Sequence, residues 1–169
     1  MVGNDEAVYQ FRQIGIIRTP FTQKQGTPIQ GHLAPESSGT VEVFPEYADG
    51  LKDIEGFSHV VLLYCFHKSE GYKLHARPFL DNIERGVFSM RAPRRPNPIG
   101  LTAVRLVRRE GNVLHISGVD MLDGTPLLDI KPYVPQFDHF SDIRRGWLED
   151  RVDTPHRTHA DDRFEESED

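Results

Sequence analysis

The apolar residues of this chain come in short runs of β type, each closed by glycine or proline within a few positions. "YQFRQIGIIRT" (9–19) alternates, is rich in β-branched residues, and is ended by Pro20. "GTVEVFP" (39–45) is a second alternating run. "SHVVLLYCFH" (58–67) is continuously apolar, the pattern of a strand buried on both faces. "GVFSM" (86–90) and "LTAVRLVRRE" (101–110) follow, the latter alternating. Gly111-Asn112 then separates two β-type runs, a hairpin signal. "PLLDIKPYVP" (126–135) closes the series, and its prolines suit an edge or exit strand. Helical patterning is confined to a turn or two in "EYADGLKDIEG" (46–56) and in "HFSDIRRGWLED" (139–150). Many short strands with Gly/Pro turns predict a mainly β chain, a barrel or a barrel-rich α+β domain. There is no glycine-rich strand-to-helix turn and no long amphipathic helix, which argues against a Rossmann unit.

Length and composition fit one domain of ordinary size: 169 residues, 37% hydrophobic and 27% charged. No run is long enough for a membrane span, and the acidic start "MVGNDEAVYQ" does not read as a secretory leader. The single cysteine, Cys65, leaves no internal disulfide and suits a reducing compartment, so a cytoplasmic location is expected. The net charge of −6 is unevenly spread. Residues 149–169 hold nine acidic side chains against three arginines, whereas residues 85–109 hold seven arginines and no acid. The first 148 residues are formally neutral, and we expect them to form the folded domain, with 149–169 an acidic, disordered tail. A basic block in a neutral body points to an anionic partner despite the acidic total.

Four polar clusters fall at the ends of the expected strands: "TPFTQKQGTPIQG" (19–31), "FHKSEGYKLHARP" (66–78), "RAPRRPNPIG" (91–100) and "DMLDGTPLLDIKPY" (120–133). Asp-Gly and Thr-Pro are ordinary turn chemistry, and His67-Lys68 by itself suits a solvated strand end. Cys65 lies in an apolar run and reads as a core thiol. His139, His156 and His159 lack metal-ligand spacing, so no metal is expected. The decapeptide differs from a solvated charged face, because three prolines fix its course and hold its arginines in place. Guanidinium forks held in that way suit carboxylates and phosphates.

Taken together, "IGIIRTPF", "FSHVVLLYCFH", "GVFSMRAPRRPNPIGLT" and "DMLDGTPLLDIKPY" resemble, in order and spacing, the TsaA-like (YaeB-like) family, whose characterised members are of the tRNA methyltransferase O type. The match runs from about Phe11 to Pro135. The resemblance implies a single-sheet β-barrel that acts as a homodimer and binds S-adenosylmethionine (SAM) without a Rossmann domain. It also implies methyl transfer to N6 of threonylcarbamoyladenosine at position 37, in the tRNA anticodon loop. Carried over position by position, the cofactor-binding residues are Pro28, Gln30, Gly31, His67, Lys68, Arg91, Leu101, Leu122, Asp123, Gly124 and Thr125. Two departures stand out: Ile29 occupies the place of an arginine common in the first loop, and Arg94 makes the decapeptide more basic than usual. Some bacterial members carry a further C-terminal domain, whereas the resemblance here ends near Pro135.

Methyl transfer from a sulfonium needs alignment above all, and a base to take the proton of the attacking nitrogen. His67 and Asp123 are the catalytic candidates, and Arg94, Arg95 and Lys131 are the candidates for RNA phosphates or the threonyl carboxylate. Two other readings share these residues: a SAM-dependent enzyme acting on another anionic substrate, and a non-catalytic barrel that binds SAM or RNA.

Overall fold

The computed structural model describes residues 7–28, 31, 34–78 and 82–149. Gln30, Ile29 and residues 150–169 of the expected tail lie outside these. Six strands form one closed antiparallel barrel: β1 (Gly15–Arg18), β2 (Ser38–Val43), β7 (Val113–Ser117), β6 (Ile99–Glu110), β3 (His59–Cys65) and β8 (Thr125–Pro132), in that order around the wall. A separate two-stranded ribbon pairs β4 (His75–Ala76) with β5 (Arg85–Gly86). The expected single-sheet barrel is therefore the fold. Helices are short: α1 (Pro135–Asp138) and 3-10 turns at Pro45–Leu51, Ile54–Gly56, Val87–Ser89 and Gly146–Leu148. Among the described residues no helix is long and apolar enough to cross a membrane.

Alternation places one side of each strand inside. Ile17, Val41, Val43, Val60, Leu62, Val104, Leu114, Ile116 and Leu127 fill the barrel, with Leu51, Val119 and Met121 closing its ends. The β6–β7 hairpin turns at Gly111-Asn112 as expected, with Gly111 at φ 61°. Asn112 also donates its side-chain amide to the Val43 carbonyl (2.6 Å), which ties the turn to β2.

Four expectations need correction. The first strand is shorter than its pattern: Val8, Tyr9 and Phe11 are exposed, and pairing begins at Gly15. Its partner β2 turns away into the Pro45 3-10 turn, so the β1–β2 pairing stops there. The run 59–65 is not buried on both faces, because Val60, Leu62 and Tyr64 point inside while Val61, Leu63 and Cys65 are only half-buried outside. "GVFSM" is a 3-10 turn rather than a strand, since the β4–β5 pairing ends at Gly86. Finally, β8 is no edge strand; it pairs with both β1 and β3 and closes the barrel. Its prolines are tolerated because Pro126 pairs only with β1 and Pro132 only with β3, so each leaves one neighbour unbonded.

Candidate functional site

One end of the barrel opens into a cleft of about 670 Å³, within the usual range for small-ligand sites. The distal end of β3 and the residues after it supply Tyr64, Phe66, His67, Lys68 and Ser69. The start of β6 supplies Ile99 to Thr102, and the turn before β8 supplies Asp120, Met121, Leu122 and Thr125. The first loop contributes Thr27 and Pro28. Phe88, Met90 and most of the proline-rich decapeptide make the remaining wall.

That decapeptide is held by its own backbone and by Arg94 and Arg95. The Arg95 amide donates to Pro93 O (3.0 Å), and Ile99 donates to Asn97 O (2.7 Å). Phe66 donates to Pro98 O (2.8 Å), which joins the loop to the end of β3. Arg95 Nη1 reaches Met90 O (3.1 Å), and Arg94 Nε reaches Glu70 O (3.2 Å). At Gly100 a Cβ would run into the Tyr64 ring, so glycine lets the loop lie against it.

The floor of the cleft is a polar chain inside an otherwise apolar barrel. Thr102 Oγ1 donates to Asp120 Oδ1 (2.8 Å), so the Tyr64 hydroxyl donates to Thr102 Oγ1 (3.1 Å). The Gly31 amide donates to Asp120 Oδ2 (2.8 Å). Gly31 packs so closely on the Gly118 backbone that a side chain would not fit. Burial pushes the Asp120 carboxyl up to about 6, against the hydrogen bonds from Thr102 and Gly31 and the charge of Arg91. Burial also raises the Tyr64 hydroxyl, with the neighbouring Asp120 charge adding to it. Asp120 is consequently ionised near neutral pH and holds a negative charge at the base of the cleft. His67 is shifted down, first by burial and then by Lys68, so its imidazole is neutral at pH 7. Its Nδ1 lies 3.4 Å from Thr125 Oγ1.

Of the residues expected from sequence, Pro28, His67, Lys68, Arg91, Leu101, Leu122 and Thr125 all line the cleft. Arg95, expected to face RNA, lines it too. Gly31 stands behind the floor and holds Asp120 in place. Gln30 is outside the described residues. Asp123 is not in the wall: its Oδ1 accepts from the Thr19 amide (3.1 Å) and its Oδ2 lies 3.9 Å from Arg18 Nη1. The neighbouring Gly124, at φ 74°, donates to Ile17 O and shapes the turn. Lys131 pairs with Asp129 (2.7 Å) on the outer side of β8, towards the far end of β3. Sequence reasoning passed over Asp120, Thr102 and Tyr64. A usable signal was there in Tyr64, since a tyrosine on the inward side of an apolar strand needs a buried partner for its hydroxyl. Among the described residues no group of His, Cys, Asp and Glu could hold a metal ion.

A closed antiparallel barrel with a ligand cleft at one end, floored by a carboxylate and walled by a stiff cationic loop, defines a small-molecule-binding barrel of non-Rossmann type. Residues 16–139 match the model of the tRNA-methyltransferase O N-terminal domain, and the chain belongs to that family. It is 53% identical over 154 residues to a probable S-adenosyl-L-methionine-binding protein of Pyrococcus abyssi, covering 91% of this chain and 84% of that one. It is 42% identical over 132 residues to a tRNA (adenine(37)-N6)-methyltransferase of Mus musculus, covering 74% of this chain but 31% of the mouse protein. The crystal structure of TrmO from Pseudomonas aeruginosa superposes with a TM-score of 0.71 at 41% identity, over 83% of this chain and 63% of that chain.

Proposed function

We propose that this protein is a SAM-dependent tRNA methyltransferase that methylates N6 of threonylcarbamoyladenosine at position 37, working as a homodimer on the anticodon loop. The observation that carries the reading is the cleft itself, in which a buried carboxylate, a neutral histidine and a cationic rim converge within a family of tRNA methyltransferases. The residues present fit SAM. Phe66, Met90, Ile99, Leu101 and Leu122 offer apolar walls for an adenosine moiety, and Asp120 offers an anion to a ligand that carries positive charge. Ser69 Oγ, in the same wall, is a buried hydroxyl without a partner among the described residues, the kind of group a ligand completes. SAM supplies an electrophilic methyl group when bound.

The chain's own residues orient the ligands and move a proton. Lys68 and Arg91 stand in the wall as cations for a carboxylate. The apolar side chains line the cleft around the reacting groups, and the proline-held loop fixes the approach of the base. His67, neutral and facing the cleft, takes the proton from the adenosine N6 as the methyl group is received. Asp123 is better suited to hold the turn, since both of its oxygens face Arg18 and Thr19.

The test is mass spectrometry of nucleosides from tRNA incubated with the protein and SAM, using threonylcarbamoylated tRNA and an unmodified transcript in parallel. A methyl mark on the modified nucleoside alone is the expected outcome. Tight SAM binding with no methyl mark on either RNA would leave a binding protein instead.

A further inference from the structure

Outside the barrel strands, the described residues 68–78 and 82–95 surround β4 and β5, and the surface of this lobe is unusual in two ways. Among the described residues it carries seven lysines and arginines against two acids, in a chain of net charge −6. It also exposes large apolar side chains: Tyr72 at 59%, Leu74 at 54%, Ile83 at 56% and Phe88 at 78%.

The exposure of Phe88 is built in. Its neighbours Val87 and Met90 are buried, at 1% and 9%, and anchor the 3-10 turn to the body from both sides. Within the turn, Met90 donates to Val87 O (3.3 Å) and Ser89 Oγ donates to Gly86 O (2.8 Å). From outside, Trp147 Nε1 donates to Ser89 O (2.8 Å), and the Arg85 guanidinium lies over the Trp147 ring at 5.5 Å. The turn is clamped, and the clamp directs the Phe88 ring outward at the rim of the cleft, where it forms part of the wall. Residues 72–74 run between this turn and the cationic loop, since Val87 donates to Leu74 O (2.8 Å) and Lys73 to Arg94 O (3.4 Å).

Aromatic faces set among cations suit single-stranded nucleic acid, whose bases stack while the phosphates meet the positive charge. A second copy of the chain fits this face poorly, because a two-fold contact would bring two positive surfaces together. We propose that Phe88 is a stacking platform for a nucleobase flanking the one that enters the cleft, with Tyr72 and Leu74 extending the apolar surface and Lys73 and Arg94 meeting the adjoining phosphates. The proposal rests on the reading that RNA is the substrate.

Three full-length variants test it: Phe88→Ala, Phe88→Trp and Tyr72→Ala. The measurements are KM for an anticodon stem-loop RNA, the SAM dissociation constant, and the sedimentation coefficient. In the same RNA, 2-aminopurine next to the target adenosine reports stacking by fluorescence quenching. Phe88→Ala is expected to raise the RNA KM by about tenfold or more and abolish the quenching, well beyond any loss of SAM affinity. Phe88→Trp restores both, and Tyr72→Ala gives a smaller rise. An unchanged RNA KM in Phe88→Ala overturns the platform. So does an equal loss of SAM affinity, which makes Phe88 a cofactor contact, or a change of sedimentation coefficient, which makes it an interface between copies. Wild-type protein that neither binds nor methylates RNA overturns the substrate reading as well. Wild-type methylation with an indifferent Phe88 overturns the platform alone.

Discussion

Asp120 and Asp123 are the same side chain three positions apart in one turn, and the barrel gives them opposite tasks. Asp123 turns out to Arg18 and Thr19 and holds the turn, while Asp120 turns in to Thr102 and Gly31 and sits under the cleft. Its carboxyl, at about 6, binds a proton more readily than the same group in the unfolded chain, near 3.9. Stability therefore falls as pH rises from about 4 to 6, and the cost of the ionised group, about 2–3 kcal/mol, is present above that window. Asn can keep the hydrogen bonds, since the Thr102 hydroxyl can reverse to accept from the new amide. Urea unfolding of Asp120→Asn at pH 7.5 is expected to show a more stable protein than wild type, with the fall between pH 4 and 6 removed. Calorimetry should show SAM affinity weakened about tenfold, because the ligand's positive charge loses its counter-charge. Wild-type affinity should fall in turn as pH drops below 6. A variant that binds SAM like wild type would remove Asp120 from the cofactor site.

At the scale of elements, alternation was readable wherever a strand separates core from solvent. It located β2, β6 and β7, together with the Gly111-Asn112 turn, from local chemistry alone. It failed for residues 9–13 and 87–90, which carry the pattern of strands but join no strand ladder, and pairing is decided by distant segments. The same limit hid the cleft floor. Tyr64, Thr102, Asp120 and Gly31 come from four separate stretches, and no local motif announces that they meet. The decapeptide was legible as a stiff cationic loop, and the resemblance to known relatives supplied the expected cofactor positions, several of which line the cleft around it. Its last glycine offers a direct test of how loop and floor depend on each other. Gly100→Ala pushes its methyl group into the Tyr64 ring and displaces the hydroxyl from Thr102. A loss of about 1–3 kcal/mol in urea unfolding is expected, with SAM affinity reduced alongside it. A variant of wild-type stability would show that the ring can move aside freely.

For the whole molecule, the cleft draws on segments from Lys24 to Thr125, so a ligand there bears on most of the barrel at once. Binding at about one hundred times the dissociation constant stabilises the native state by about 2.7 kcal/mol. For a chain of this size that is a rise in Tm of roughly 5–10 °C in a single transition, readable by differential scanning calorimetry. A split transition would instead mean that the lobe around β4 and β5 melts independently of the barrel. The closing strand β8 carries one more consequence. Among the described residues it is the last strand in sequence order, it seals the wall between β1 and β3, and it opens with Thr125 of the cleft. On the ribosome, the nascent barrel therefore has no finished wall and no complete pocket until β8 has emerged from the exit tunnel, so cofactor capture waits on that strand.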